Sequence, residues 1–312
     1  KNGIEKNCRA TKQNYEGREL AVEYTNRELL REGCDRLRQA GIAEADTDAW
    51  IMFSSSTGLS RTDYLMRGHD IVPQEAVDRY FAKLKRRADR EPVQYIEGTA
   101  PFMGFDFLVN GNVLIPRMDT EILVSEALKL AKLMFAERPH GVEFAVLDMC
   151  TGSGCIAESV YLLLRKDGCE AAVTASDISE KALEAAKENS KRLGARVNFI
   201  QGNLFENVTG SFSMILSNPP YIRTDVIADL EPEVRVHEPV LALDGTADGL
   251  YFYRRITDEA FGHLVSGGVI LFEIGYDQAM EVCDMLKAKG YRDIGVIKDF
   301  AGLDRVVKAV KP

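Results

Sequence analysis

The segment Ser217-Asn218-Pro219-Pro220-Tyr221 has the makings of a device for holding a planar NH2 group. It follows the apolar run Ser213-Met214-Ile215-Leu216, which predicts a buried strand ending at the device. Asn218 precedes a proline, and that biases its backbone toward the extended region. Pro219 and Pro220 fix φ and carry no N–H, so the Pro219 carbonyl is not spent in regular pairing. That carbonyl and the Asn218 side-chain oxygen offer two acceptors to one amino group. Tyr221 adds a flat face on which a planar group can lie. Asn218, Pro219 and Tyr221 are the candidate catalytic residues, and Asn218-Pro219-Pro220-Tyr221 the candidate substrate-binding segment. The competing reading is a rigid strand-to-loop turn, which Asn-Pro also marks.

A second constellation lies upstream. Ala145-Val146-Leu147-Asp148 reads as a strand running into Cys150-Thr151-Gly152-Ser153-Gly154-Cys155, with a helix after it. Glycines at such a turn let a ligand approach the backbone closely. The next strand, Val173-Thr174-Ala175-Ser176, ends in Asp177, whose carboxylate can accept both hydroxyls of a ribose. NAD and S-adenosylmethionine both fit a Gly-x-Gly between strand and helix with an acid on the following strand. The loop lacks the third glycine of the dinucleotide fingerprint, and Glu158 stands in that region instead. A bulky acid there opposes a pyrophosphate, which favours S-adenosylmethionine. Asp148 suits a cofactor bearing a cation and an amino group, or else it bonds loop amides. In Gln201-Gly202-Asn203-Leu204-Phe205, Asn203 is placed to bond an adenine amine, and Leu204 or Phe205 to pack on the ring. The candidate cofactor-binding set is therefore Cys150, Thr151, Gly152, Ser153 and Gly154, with Asp177, Asn203, Leu204 and Asn218.

The elements that position these residues fall into three parts. Residues 1–90 read as a small all-α domain, 91–118 as a β-hairpin linker, and 119–312 as the α/β domain. Residues 1–17 are polar and without clear periodicity. Helical spacing runs from Arg18 to Ala40, and Gly41 ends it. Asp46 or Thr47 is placed to cap a second helix ending at Gly58. A short helix over Arg61–Arg67 and one over Pro73–Ala88 follow. Val93-Gln94-Tyr95-Ile96 and Phe102–Val109 read as two extended segments, with the turn at Gly98 and Pro101. From Asp119 onward helices and strands alternate. That pattern predicts a doubly wound parallel sheet with ligands at the carboxyl ends of its strands.

Composition sets the class. The chain has 312 residues, 46% of them hydrophobic and 28% charged, which suits two globular domains. No apolar run reaches the ~20 residues that cross a bilayer. The first residues have no signal-peptide core, so a cytoplasmic location is expected. Six cysteines without a C-x-x-C pair, and only four histidines, argue for small buried thiols over a metal site or disulfides. Net charge is −9, divided as about +2 over residues 1–90 and −11 over the rest. An acidic catalytic half opposes a nucleic acid gripped along its phosphates. The run Lys83-Leu84-Lys85-Arg86-Arg87 reads as a solvated helix end.

The motifs occur in a recognisable order. Glu91-Pro92-Val93-Gln94-Tyr95-Ile96-x-Gly98 precedes Leu114-Ile115-Pro116-Arg117-x-Asp119-Thr120-Glu121 and the Thr151-Gly152-x-Gly154 loop. Ser217-Asn218-Pro219-Pro220-Tyr221-Ile222, Glu238-Pro239-x-x-Ala242-Leu243 and Gly267-Gly268-x-x-x-Phe272-Glu273-Ile274-Gly275 follow. Over about residues 40–310 the set resembles the peptide chain release factor glutamine methyltransferases, PrmC/HemK. The resemblance implies a Rossmann-like class I S-adenosylmethionine-dependent methyltransferase domain, a small N-terminal all-α domain and a β-hairpin linker. It implies methyl transfer from S-adenosyl-L-methionine, leaving S-adenosyl-L-homocysteine. The acceptor would be the side-chain amide nitrogen (N5) of the glutamine in the Gly-Gly-Gln loop of class-1 release factors. A monomer without a membrane or direct nucleic-acid partner is expected. Two residues depart from the family pattern: Cys150 stands where glycine is usual, and Met118 where proline usually follows Arg117.

Rival readings share parts of this site. A ribosomal-protein glutamine methyltransferase or a DNA adenine-N6 methyltransferase would use the same Asn-Pro-Pro-Tyr. An NAD-dependent oxidoreductase would need the third glycine. A non-catalytic adaptor would not need Asn218. Arg117 and Glu121 read as a structural salt bridge or as ordering the linker or active-site mouth, Glu238-Pro239 is open between the same readings, and Glu273, at a strand end, reads as structural.

Overall fold

The computed structural model describes residues 23–138 and 143–312. The expectation for residues 1–17 therefore lies outside the described residues. The chain divides into two compact units, with the division between Glu97 and Gly98.

The first unit is helical: α1 (Asn26–Gln39), α2 (Ala45–Thr57), α3 (Arg61–Met66), α4 (Gln74–Ala88) and α5 (Val93–Glu97). Its core is built on Leu29, Leu37, Met52, Phe53, Tyr80 and Leu84, all buried. α1 begins at Asn26, later than its apolar spacing suggests, because Thr25 and Glu28 form a reciprocal cap. The Glu28 amide donates to Thr25 Oγ1 at 3.3 Å, and the Thr25 amide to Glu28 Oε2 at 3.1 Å. Neither Asp46 nor Thr47 caps α2. The helix starts at Ala45, and the Asp46 carboxylate accepts from Arg38 at 2.6 Å. The basic end of α4 is spent within the unit. Lys83 pairs with Glu97 at 2.7 Å, Arg86 with Glu91 at 2.5 Å, and buried Arg87 with buried Asp48 at 2.7 Å. Residues 93–96, expected to be extended, are helical. Pro92 opens that turn, and its carbonyl accepts from the amides of Tyr95 and Ile96, each at 3.1 Å.

The second unit opens with a hairpin, β1 (Thr99–Phe102) and β2 (Phe105–Leu108), paired Thr99↔Leu108 through Phe102↔Phe105. Its turn is Met103-Gly104, not Gly98 and Pro101, and both turn residues have positive φ. Phe102 and Phe107 bury this hairpin in the unit's own core, so it packs as part of the α/β unit. The order then runs α6 (Thr120–Glu137), β3 (Ala145–Met149), α7 (Cys155–Lys166), β4 (Ala172–Asp177), α8 (Glu180–Leu193), β5 (Val197–Gln201) and β6 (Phe212–Ser217). It continues with α9 (Pro232–His237), α10 (Tyr251–His263), β7 (Leu264–Glu273), α11 (Ala279–Lys289), β8 (Arg292–Lys298) and β9 (Asp304–Val310).

The seven-stranded sheet has the order β5-β4-β3-β6-β7-β9-β8. It is not wholly parallel, because β9 runs antiparallel to both β7 and β8. The chain order reverses at the β3–β6 pair, which opens a crevice at their carboxyl ends. Strand residues alternate between two apolar layers. Val146, Met214 and Leu216 join Leu123 and Val160 on one face, while Leu147 and Ile215 join Tyr253, Ile256 and Leu286 on the other. Burial on both faces is why these strands read as unbroken apolar runs.

Candidate active site

Four parallel strands deliver their ends to one cavity. After β3 come Cys150, Thr151, Gly152 and Ser153. Asp177 ends β4, Asn203 and Leu204 follow β5, and Asn218 and Pro220 follow β6; all of these line it. Gly154, Pro219 and Tyr221 do not.

The loop after β3 turns through left-handed residues, with φ of 63° at Cys150, 56° at Gly152 and 83° at Gly154. A Cβ on Gly154 would lie 2.5 Å from Glu158 Oε1 and 3.1 Å from Ala186 Cβ, so glycine is required there. Cys150 adopts a conformation that strains a residue with a side chain, at a cost of about 1 kcal/mol or more. Asp148 holds the loop from behind. Thr151 Oγ1 donates to its Oδ2 at 2.5 Å, and the Ala157 amide donates to the same oxygen at 3.2 Å. Asp148 is fully buried and does not line the cavity, and the bonds it makes are to the loop. Burial pushes its carboxyl up to about 7 against the pull of those two donors. Ser153 is fixed through its carbonyl, which accepts from buried Asn189 at 3.0 Å.

Asp177 is oriented by the backbone. The Gly152 amide donates to Oδ2 and the Ser179 amide to Oδ1, each at 2.9 Å. Each oxygen keeps capacity for a second donor, as two adjacent sugar hydroxyls would supply. Burial raises its pKa despite those amides. The residues thus fit a nucleoside cofactor: an aimed acid, a glycine loop, and Leu204 and Ile178 as apolar lining. Phe205 does not share this role. It stacks on His263 at 4.8 Å within the second apolar layer.

Asn218 sits where the first turn of α6 meets the ends of β6 and β7. Its Nδ2 donates to Thr120 Oγ1 at 3.3 Å, and both Thr120 and Asn218 favour the ionised form of buried Glu273 beside them. Among the described residues nothing donates to Asn218 Oδ1 or to the Pro219 carbonyl. Pro219 and Pro220 are buried. Tyr221 packs against the second apolar layer and anchors the turn through its backbone. Gln278 Nε2 donates to the Tyr221 carbonyl at 3.0 Å, and a Cβ on Gly249 would approach that carbonyl to 2.4 Å. The Tyr221 side chain does not line the cavity, and Phe252 supplies aromatic lining that the sequence did not reveal.

Asn112–Arg117 form one wall of the mouth, and Pro239, Leu241 and Ala242 the other. Arg117 Nη2 donates to Glu238 Oε1 and ties the two walls together. Glu238 is buried, which raises its pKa against the pull of Arg117. Glu121 takes another partner: the Met103 amide donates to it at 2.6 Å. Thr120 and Glu273 stand beside Asn218, a placement that sequence reasoning missed. The signal was present in Asp119-Thr120-Glu121 and Phe272-Glu273-Ile274-Gly275, but only the fold brings the two segments together.

The sheet order and the cavity agree with comparisons to known proteins. Residues 129–231 match the family model of the methyltransferase small domain, and residues 28–98 that of the PrmC N-terminal domain. In fold alone, the chain is similar to the hMettl16 catalytic domain in complex with MAT2A 3'UTR hairpin 6. The TM-score is 0.52 at 13% identity, covering 73% of this chain and 81% of that one. Fold and site define a class I S-adenosylmethionine-dependent methyltransferase.

Two relatives fix the family. The release factor glutamine methyltransferase of Agrobacterium fabrum is 41% identical over 274 residues, covering 87% of this chain and 92% of the relative. That of Geobacter sulfurreducens is 40% identical over 285 residues, covering 91% and 96%. The chain belongs to the release factor glutamine methyltransferase family.

Proposed function

We propose that this enzyme methylates the side-chain amide nitrogen of the glutamine in the Gly-Gly-Gln loop of a class-1 peptide chain release factor. S-adenosylmethionine is the donor in this reading and S-adenosylhomocysteine the product. The observation that carries the reading is Asn218. Its NH2 group donates to Thr120 beside Glu273, and its Oδ1 is left without a protein donor among the described residues, as is the Pro219 carbonyl.

An amide nitrogen is a poor nucleophile, because its lone pair is delocalised into the carbonyl. In this reading Asn218 Oδ1 accepts one N–H bond in the cavity and the Pro219 carbonyl, from a buried residue behind the lining, the other, which fixes the nitrogen and raises its electron density. S-adenosylmethionine, when bound, supplies an electrophilic sulfonium methyl. The loop 150–154 and Asp177 would hold the donor in the cavity that Asn218 also lines, so proximity would provide much of the acceleration. Positive charge grows on the nitrogen as the N–C bond forms and the S–C bond breaks, and the two acceptors would stabilise it. The methylated nitrogen is acidic and releases one proton to water, so no strong base is needed. Tyr221 and Pro220 serve this arrangement by holding the turn.

The helical unit, which matches the PrmC N-terminal domain over residues 28–98, is the part assigned to gripping the release factor in this reading. The charge of −11 over residues 91–312 weighs against a DNA substrate. The test is to incubate the protein with labelled S-adenosylmethionine and release factor, ribosomal proteins or DNA, then locate the methyl by mass spectrometry. Label on the release factor glutamine is expected; label confined to DNA or ribosomal protein would overturn the reading.

A further inference from the structure

We infer that Glu273 and Thr120 are positioning residues, which hold the Asn218 amide with its NH2 group turned into the protein and Oδ1 turned toward the acceptor nitrogen. This rests on the reading of Asn218 given above.

The sheet register brings the pair together. Ser217 on β6 lies opposite Phe272 on β7, so the residues that follow, Asn218 and Glu273, stand side by side at adjacent strand ends. Thr120 reaches the same point from the first turn of α6. An asparagine amide is nearly symmetric in shape, and a half-turn exchanges oxygen for nitrogen. The flipped form would set one NH2 against another across the cavity. Preventing that requires acceptors on the inner side, and an ionised carboxylate is acceptor-only. Thr120 and Asn218 both favour the ionised form of Glu273, and Thr120 Oγ1 accepts from Asn218 Nδ2 at 3.3 Å.

The burial of Glu273 is otherwise hard to explain. It is 1% exposed, and an uncompensated carboxylate there is costly. The neighbouring cation, Arg305, answers only part of that cost, because it is shared with other partners. Arg305 Nη2 lies 3.0 Å from Asp299 and 3.3 Å from Asp119, and Nη1 donates to the Ile274 carbonyl at 3.3 Å. Glu273 Oε2 carries no partner among the described residues. An apolar side chain at this strand end would avoid the penalty but leave the Asn218 amide free to turn.

Titration gives a readout specific to this role. Burial pushes the Glu273 carboxyl up to about 7. The groups that face it are Arg305 on β9, Asp119 ahead of α6, Tyr221 after β6, Tyr253 on α10 and Cys155 on α7. Protonated Glu273 becomes a donor and loses its hold on the amide, so turnover should fall as pH drops through about 7.

The experiment compares the full chain with Glu273→Gln and Thr120→Val. It measures kcat and KM on release factor, calorimetric affinity for S-adenosylmethionine, and the Asn218 side-chain NH2 signal in protein labelled with 15N-asparagine. Glu273→Gln should lower kcat about 100-fold, as a misplaced group does. KM and cofactor affinity should stay within about threefold, since ground-state binding is not the loss. The Asn218 NH2 signal should titrate near pH 7 in the wild type and not in Glu273→Gln. Wild-type kcat in Glu273→Gln, or an Asn218 signal indifferent to both pH and the substitution, would overturn the inference. So would a loss confined to cofactor affinity. If Glu273→Gln fails to fold, Thr120→Val decides by the same measures. The NH2 titration needs no substrate, so failure of the wild type on release factor would remove the substrate reading and leave this one tested.

Discussion

The Gly152 amide donates to Asp177 Oδ2 at 2.9 Å, and this one bond sets the glycine loop after β3 against the acid that ends β4. The loop cannot shift without turning the carboxylate. Asp177→Ala should therefore weaken S-adenosylmethionine binding by about 10- to 100-fold, the scale of lost hydrogen bonds to a charged group. Turnover at saturating cofactor should change much less. Calorimetry is the check, and unchanged affinity would remove the assignment.

Glu158 makes a separate demand on the same region. It is fully buried on α7, neither carboxyl oxygen has a partner among the described residues, and burial pushes it up to about 9. The unfolded chain ionises near 4.5. Below that both states are protonated, and the stability contribution is fully present. From 4.5 to about 9 only the unfolded chain has released the proton, so stability falls as pH rises. Asp148, raised to about 7, adds the same sign of slope from 3.8 to about 7. Glu158→Leu should raise Tm near pH 8 by about 2–4 °C for each kcal/mol recovered, and flatten the slope above neutrality. Scanning calorimetry across pH checks it; superimposable profiles would contradict it.

Arg117 and Glu238 join two segments 121 residues apart across the cavity mouth. Arg117→Ala leaves a buried carboxyl without its partner, which is more damaging than removing both. KM for release factor should rise several-fold and residues 223–246 should become more sensitive to protease. Adding Glu238→Gln should recover part of the loss, and a double variant no better than the single one would contradict the coupling.

How much of this was legible depended on where the information lay. Buried parallel strands were plain, because Val146-Leu147 and Met214-Ile215-Leu216 must be apolar on both faces. β8 was missed because Arg292–Lys298 is an edge strand, half-exposed and broken by Gly295. Val93–Glu97 misled because Val93, Tyr95 and Ile96 favour strands locally, while Pro92 starts a helical turn. The Asn218 and Asp177 roles were suggested by residue type and place. Those of Thr120 and Glu273 depended on strand register, which no local pattern carries.

The most direct test of the central claim is single-turnover methylation of release factor by Asn218→Ala at saturating S-adenosylmethionine, with cofactor affinity measured on the same protein. Removing an acceptor aimed at developing charge should slow methyl transfer by about 100-fold or more. Cofactor affinity should remain within a few-fold of the wild type. Near-normal methylation by Asn218→Ala would contradict the account.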